Sequence, residues 1–107
     1  MVKKKEFIVP YPENCRKRYS HTRIKNRIVD FKVQLEVFLK NRWYPIVRYD
    51  TAHGFAHRDI IHFDGRIEKI PLFLNNYNET LNFADTDIKM NWQLYLKRFL
   101  EEVKNHD

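Results

Sequence analysis

Apolar and polar residues alternate along residues 29–40, where the six odd positions from 29 to 39 are all apolar and Phe38 is the one apolar residue at an even position. Period-two alternation over this length predicts a long strand with one buried face. A second strand is predicted over residues 42–50. Because proline cannot donate a ladder hydrogen bond, Pro45 indicates a sheet edge or a bulge within that strand.

Two shorter strands are predicted next, over residues 56–63 and 66–72. The Asp64-Gly65 pair between them is typical of a two-residue hairpin loop, since both central residues of that turn need positive φ. With that loop, Phe63 pairs with Arg66. This register determines which face of the hairpin each of the remaining side chains occupies. The face expected to lie under a helix carries His57, Asp59, Ile61, Phe63, Ile70 and Leu72.

The last third of the chain has a helical pattern, with apolar residues recurring at three- and four-residue steps from Leu81 to Val103. Asn78 is the expected N-cap, and Glu79 in the first turn suits the helix dipole. Together these elements predict an α+β fold, namely a four-stranded antiparallel β-meander with one long C-terminal α-helix packed on one face.

Residues 1–22 lack clear periodicity and are predicted to form a basic N-terminal arm before a single α+β domain over 23–107. The net charge of +6 is concentrated near the start, because residues 1–32 carry a balance of +7. Such an excess favours contact with phosphates or an acidic partner; a solvated tail is the alternative interpretation. The candidate nucleic-acid-binding residues are Lys3, Lys4, Lys5, Arg16, Lys17, Arg18, Arg23, Lys25 and Arg27.

Cysteine content and hydropathy bear on location. The single cysteine, Cys15, has no internal disulfide partner, which fits the reducing cytoplasm that we expect for this protein. No apolar run approaches the ~20 residues of a membrane helix, so no membrane partner is expected. The basic start of the chain is not followed by the long apolar stretch of a secretory signal.

Residues able to carry chemistry are concentrated between Arg48 and Lys69, a window that holds three of the five histidines and both glycines. A backbone bend at Gly54 would bring His53 towards His57 and Asp59 at the mouth between sheet and helix. The candidate catalytic residues are His53, His57, Asp59, Arg48 and Asp50.

Three kinds of chemistry fit this cluster. In acid–base catalysis on a phosphodiester, one histidine moves a proton, a second histidine or Asp59 orients it, and Arg48 binds the phosphate. The His-x3-His-x-Asp spacing also suits Zn²⁺ or a similar ion, although cysteine ligands are absent. The third interpretation is a hydrogen-bonded network that shapes the loop and the sheet edge. No cofactor is expected, and no metal ligand is assigned.

The order Arg48-Tyr49-Asp50, His53-Gly54, His57-x-Asp59, a hairpin glycine at Gly65 and a C-terminal amphipathic helix resembles small prokaryotic proteins related to the TumE toxins of toxin–antitoxin pairs. The resemblance covers about residues 28–103. Asp59 stands where a second histidine is often found in that family. The resemblance implies an α+β protein with an antitoxin partner and an RNA-directed activity, carried by Arg48, Asp50, His53 and His57.

Two functional hypotheses follow. The first is a small toxin-like enzyme, with a metal-independent ribonuclease-like activity favoured over metal-dependent hydrolysis. The second is a noncatalytic module that binds nucleic acid or a protein through its basic N-terminal segment. Self-association through an open strand edge is a further option, since the long strand over 29–40 can leave an edge unpaired.

Overall fold

The computed structural model describes residues 1–106; Asp107, the last residue of the expected domain 23–107, lies outside the described residues. The α+β architecture is confirmed: an antiparallel sheet whose strands follow one another in chain order, with one long C-terminal helix. The elements are β1 (Val2–Tyr11), β2 (Cys15–Ile24), β3 (Arg27–Leu39), β4 (Arg42–Asp50), β5 (His57–Ile61), β6 (Ile67–Pro71) and α1 (Tyr77–His106).

The predicted count of four strands was wrong, because the described sheet has six. Residues 1–22, expected as an arm, form β1 and most of β2, and these strands pair along their whole length. Every residue of β1 is exposed or half-buried. With no buried face to select apolar residues at alternate positions, this edge strand shows no period-two pattern in its sequence.

The four strands predicted after residue 22 are all present, as β3 to β6. Pro45 does lie at a bulge in the interior strand β4, since it pairs with Glu36 while Val47 pairs with Leu35. The extra residue, Ile46, is fully buried. Side chains alternate across a sheet, so a bulge reverses the alternation. As a result, Trp43 lies on the opposite face from Val47.

The helix α1 packs across β3 and β4, on the side that we call the helix face. The core lies between them, where the odd residues of β3 from Phe31 to Val37 meet Leu81, Ala84, Ile88, Leu96 and Phe99. Asn76, not Asn78, caps α1: its Oδ1 accepts a hydrogen bond from the Glu79 amide at 2.9 Å. No helix within residues 1–106 combines the length and apolar character needed to cross a membrane.

The β5–β6 hairpin differs from the predicted register by one residue. The loop is longer than Asp64-Gly65, because the His62 amide donates to the Arg66 carbonyl at 2.9 Å. Ile61 therefore pairs with Ile67, and Asp59 pairs with Lys69 rather than Ile70. A one-residue slip exchanges the two faces of a strand. Lys69 consequently shares a face with Asp59, and Ile70 does not.

Candidate functional site

The predicted site lies on the sheet face turned away from α1, which we call the open face. Tyr49 points to the helix face, because its hydroxyl donates to Asp87 of α1 at 2.6 Å. Its neighbours Arg48 and Asp50 therefore point to the open face. Strand pairing places Asp59 beside Arg48 and His57 beside Asp50 on that face. The expected position at the mouth between sheet and helix was wrong, because that placement assumed the wrong face of β5.

His57 is held between two carboxylates. Its Nδ1 lies 3.0 Å from Oδ1 of Asp59, within hydrogen-bonding distance. Its Nε2 lies 2.8 Å from Oδ1 of Asp50, a close approach whose angle falls short of a hydrogen bond. The residue is only 1% exposed. Both ring nitrogens therefore face acidic oxygens inside the protein rather than solvent.

Asp59 is the most heavily contacted carboxylate of the open face. Besides His57, its oxygens lie 3.2 Å from Nζ of Lys69 and 3.6 Å from Nη1 of Arg48. The Asp59 side chain is 3% exposed. A buried carboxylate is tolerated where cations and hydrogen-bond donors surround it. The two overlying cations provide that compensation.

The contacts continue across the sheet as a polar chain. Nε of Arg48 donates to Oε1 of Gln34 at 2.7 Å, and the Gln34 amide donates to Glu36. Glu36 in turn accepts from Nε of Arg16 at 2.7 Å. The guanidinium of Arg16 lies 3.6 Å from the ring centroid of Trp43. The polar chain comprises Arg16, Glu36, Gln34, Arg48, Asp59, Lys69, His57 and Asp50.

His53 is the exposed member of the predicted set. Its ring stacks on His57 with centroids 5.8 Å apart, and Phe55 contacts His57 from the same loop at 5.4 Å. Gly54 adopts the positive φ of 83° that the bend requires. The structure therefore brings together all five side chains named from the sequence as candidate catalytic residues.

Sequence reasoning missed four members of the polar chain. Gln34 and Glu36 occupy the polar positions of the alternating β3 pattern, which usually indicate solvent, yet they are 6% and 4% exposed. Arg16 was assigned to phosphate binding, and Lys69 was placed on the other face. The sequence of β3 alone does not show that the side chains of Gln34 and Glu36 are buried, because the residues that cover them come from distant parts of the chain.

The chemistry open to this site follows from its burial. His57 is shielded from solvent, whereas His53, Arg48 and Lys69 form its solvent-facing cover. An imidazole oriented by carboxylates beneath an exposed imidazole suits proton transfer at the surface. Within residues 1–106, no three His, Cys, Asp or Glu side chains are arranged to hold a metal ion.

The nine predicted nucleic-acid-binding residues fall into three groups. Arg16 is paired with Glu36, and Nζ of the buried Lys17 lies 2.6 Å from Oδ1 of Asp85 in α1. Arg18 is exposed in the middle of β2. The other six are exposed where β1 begins and β2 turns into β3, and we call them the basic end: Lys3, Lys4, Lys5, Arg23, Lys25 and Arg27.

A second polar cluster anchors α1 on the helix face. Asp87 accepts hydrogen bonds from the hydroxyls of Tyr49 and Tyr95, and Tyr49 also accepts from Nη1 of Arg58 at 3.4 Å. Burial, followed by the hydrogen bond to Asp87, raises the pKa of Tyr49, and the same two causes raise the pKa of Tyr95. Both hydroxyls therefore remain protonated donors, which suits a structural role.

Comparison with known proteins identifies a family without assigning an activity. No curated protein and no solved structure matches the chain. One family model matches residues 2–105, and its description is a domain of unknown function, DUF7718. Nothing in that match links the chain to TumE-like toxins, so the resemblance stays a prediction. Because the match covers nearly the whole chain, this protein belongs to the DUF7718 family.

Proposed function

We propose that the protein binds nucleic acid through the basic end. The observation that carries the proposal is the arrangement of six exposed cations at one end of a paired hairpin, where Lys3 lies opposite Arg23. Lys4 has an ion-pair partner in Glu6 at 3.3 Å. Within the described residues 1–106, the other five cations of the basic end form no ion pair.

The fold argues against the interpretation of this segment as a solvated tail. β1 and β2 pair from Val2 opposite Ile24 to Tyr11 opposite Cys15, so the backbone that carries the charges has a fixed register. Like charges held close together repel one another in the free protein. A phosphate backbone relieves this repulsion and releases its condensed counterions, which makes binding strongly dependent on salt.

The test compares two variants of equal net charge. The triple variant Lys3→Gln/Lys5→Gln/Arg23→Gln removes half of the basic end, whereas Lys89→Gln/Lys97→Gln/Lys104→Gln removes three exposed lysines from α1. We expect the first variant alone to weaken binding of a labelled RNA. A plot of its log affinity against log salt concentration should be shallower, with the magnitude of the slope reduced by about 0.7–0.9 for each phosphate that the variant no longer neutralises. Equal weakening in both variants would contradict a localised site.

RNA cleavage at the open face is a second candidate function, favoured by the exposed ring of His53 above the buried pair of His57 and Asp59. In such a reaction, His53 takes the proton of a ribose 2′-hydroxyl as its oxygen bonds to phosphorus. The bond to the 5′-oxygen then breaks, and water protonates the leaving oxygen. Arg48 binds the phosphate, while His57 and Asp59 position the exposed imidazole.

Induced expression tests this second candidate. We expect cell growth to stop and RNA to be cleaved, with His53→Ala and His57→Ala relieving both effects. His53→Ala is the decisive variant, because an exposed side chain is removed at little cost in stability. His106→Ala, another exposed histidine, is the matched control. Normal growth with intact RNA under strong induction would exclude cleavage and leave the binding proposal to its own test.

A further inference from the structure

One row of side chains crosses the open face at right angles to the strands. Strand pairing sets Arg18 of β2 opposite Gln34 of β3, and Gln34 opposite Arg48 of β4. Arg48 is opposite Asp59 of β5, which is opposite Lys69 of β6. Cations therefore occupy every second strand of this row, which we call the transverse row, and hydrogen-bond acceptors occupy the strands between them.

Cations lie above acceptors in the transverse row. Gln34 and Asp59 are 6% and 2% exposed, whereas the side chains of Arg48 and Lys69 are 25% and 41% exposed. Arg18 and the neighbouring Lys32 are exposed and form no ion pair within residues 1–106. Along the transverse row, solvent therefore meets positive charge, and the Asp59 carboxylate lies underneath. The exposed carboxylates of the open face, Glu6 and Asp30, lie outside this row.

Exposed aromatic rings flank the transverse row on both sides. Phe38, at the β3–β4 end, is 40% exposed and packs against Trp43 with ring centroids 5.3 Å apart. Phe55, in the β4–β5 loop, is 42% exposed and contacts His57, the ring on which the exposed His53 stacks. Exposed rings beside a basic track are the features that proteins use to bind single strands, because bases stack on the rings while cations follow the backbone.

We infer that a single-stranded nucleic acid lies across the open face, with its backbone along the transverse row and its bases against Phe38 and Phe55. The inference rests on the proposed nucleic-acid binding and names the form of nucleic acid that is bound. At the basic end, Lys4 shares the open face with Arg18, whereas Lys3 and Lys5 lie on the opposite face of the edge strand β1. A duplex cannot use the aromatic rings in the same way, since its bases are already stacked and paired.

The two tryptophans provide a direct readout. Trp43 lies on the open face beneath the Arg16 guanidinium, whereas Trp92 belongs to α1 and stacks on Tyr11 at 5.3 Å on the helix face. In a Trp92→Phe variant, oligouridylate or oligothymidylate should change the emission of Trp43 in a saturable manner. In a Trp43→Phe variant, emission from Trp92 should stay constant during the same titration. Comparing the two oligonucleotides distinguishes RNA from DNA.

The stacking contribution is tested with the double variant Phe38→Ala/Phe55→Ala. Both rings are exposed, so the fold should be retained, which an unchanged melting temperature verifies. Affinity for the oligonucleotide should fall about tenfold or more, while affinity for a duplex of the same length should not change. Phe73→Ala removes a ring that is 91% exposed elsewhere on the surface and should have no effect.

The outcomes separate this inference from the proposed function. Loss of binding in Lys3→Gln/Lys5→Gln/Arg23→Gln, with constant Trp43 emission and full affinity in Phe38→Ala/Phe55→Ala, would overturn the open-face track and leave the basic end as the binding site. Absence of binding to any single strand or duplex at low salt would overturn both. Emission change together with reduced affinity of the double variant supports the track.

Discussion

His57 and Asp59 form a buried pair on the open face, with Nδ1 of the imidazole 3.0 Å from Oδ1 of the carboxylate. They are alternate residues of β5, so the strand itself brings their side chains to the same face. The pair joins Arg48 and Lys69 to the loop that carries His53. It thereby connects the conformation of the β4–β5 loop to the middle of the sheet.

Removing the Asp59 carboxylate should destabilise the fold. Asp59→Ala leaves His57 buried without its partner and leaves Arg48 and Lys69 without their shared acceptor. Breaking a buried ion pair by removing one member typically costs about 3 kcal/mol or more. Urea denaturation should show this loss, whereas Glu101→Gln on the exposed side of α1 should change the free energy of unfolding by less than about 0.5 kcal/mol. Similar effects from both variants would contradict a structural role for the pair.

Stability should depend on pH through His62 and Glu102. Hydrogen bonds to Glu68 and then to Glu102 raise the pKa of His62 above its ordinary value of 6.5. Burial alone would raise the pKa of Glu102, but hydrogen bonds from the Phe63 amide, His62 and Arg98 hold it below its ordinary 4.5.

The stability gained from one pKa shift is lost as pH rises, and the stability gained from the other is lost as pH falls. The raised pKa of His62 adds stability that is complete below its unfolded value and lost as pH rises through the folded value. The lowered pKa of Glu102 adds stability that is lost as pH falls through its folded value. We therefore expect the hydrogen bond between His62 and Glu102 to contribute most to the free energy of unfolding between pH 4.5 and pH 6.5. Thermal melts that extend from below pH 4.5 to above pH 6.5 should show this maximum, and His62→Gln should flatten the decline above pH 6.5.

His21 should report binding at the basic end. Burial, followed by the nearby charges of Arg23 and Lys5, lowers the pKa of His21, and Asp30 opposes them. Phosphates bound beside Arg23 and Lys5 would offset those positive charges, so the pKa should rise when nucleic acid binds. An NMR titration of the imidazole protons measures the shift, with His106 as an internal control. An unchanged pKa in the saturated complex would place the nucleic acid elsewhere.

Cys15 should be unreactive in the folded protein. Burial, with a smaller contribution from Glu13, raises the pKa of the Cys15 thiol to about 11. Since the thiolate is the reactive form, roughly one molecule in a thousand is reactive near pH 8. A thiol reagent should modify the native protein slowly and the urea-unfolded protein quickly. Fast modification under native conditions would show that the β1–β2 end opens readily.

Much of the fold follows from local patterns. The alternation in β3 and the apolar stripe of α1 each identify an element, because the spacing of apolar residues reflects which side of a strand or helix is buried. The proline of β4 indicates a sheet edge or a bulge for a different reason, since it cannot donate a ladder hydrogen bond. β1 was missed because its residues are exposed or half-buried, so no buried face imposes a spacing on them.

The order of residues along the chain was enough to predict that His53, His57 and Asp59 come together, because a glycine-hinged loop between two adjacent strands confines them to a small region. Arg48 and Asp50 were candidates from the preceding strand, and strand pairing brings them to the same place. Which face they occupy and what covers them became clear from the folded protein alone. The face and the covering residues depend on the bulge in β4, where Ile46 is the extra residue, and on the longer loop after Ile61. Each such difference exchanges the two faces of a strand, and the covering residues Arg16 and Lys69 come from strands far apart in the sequence.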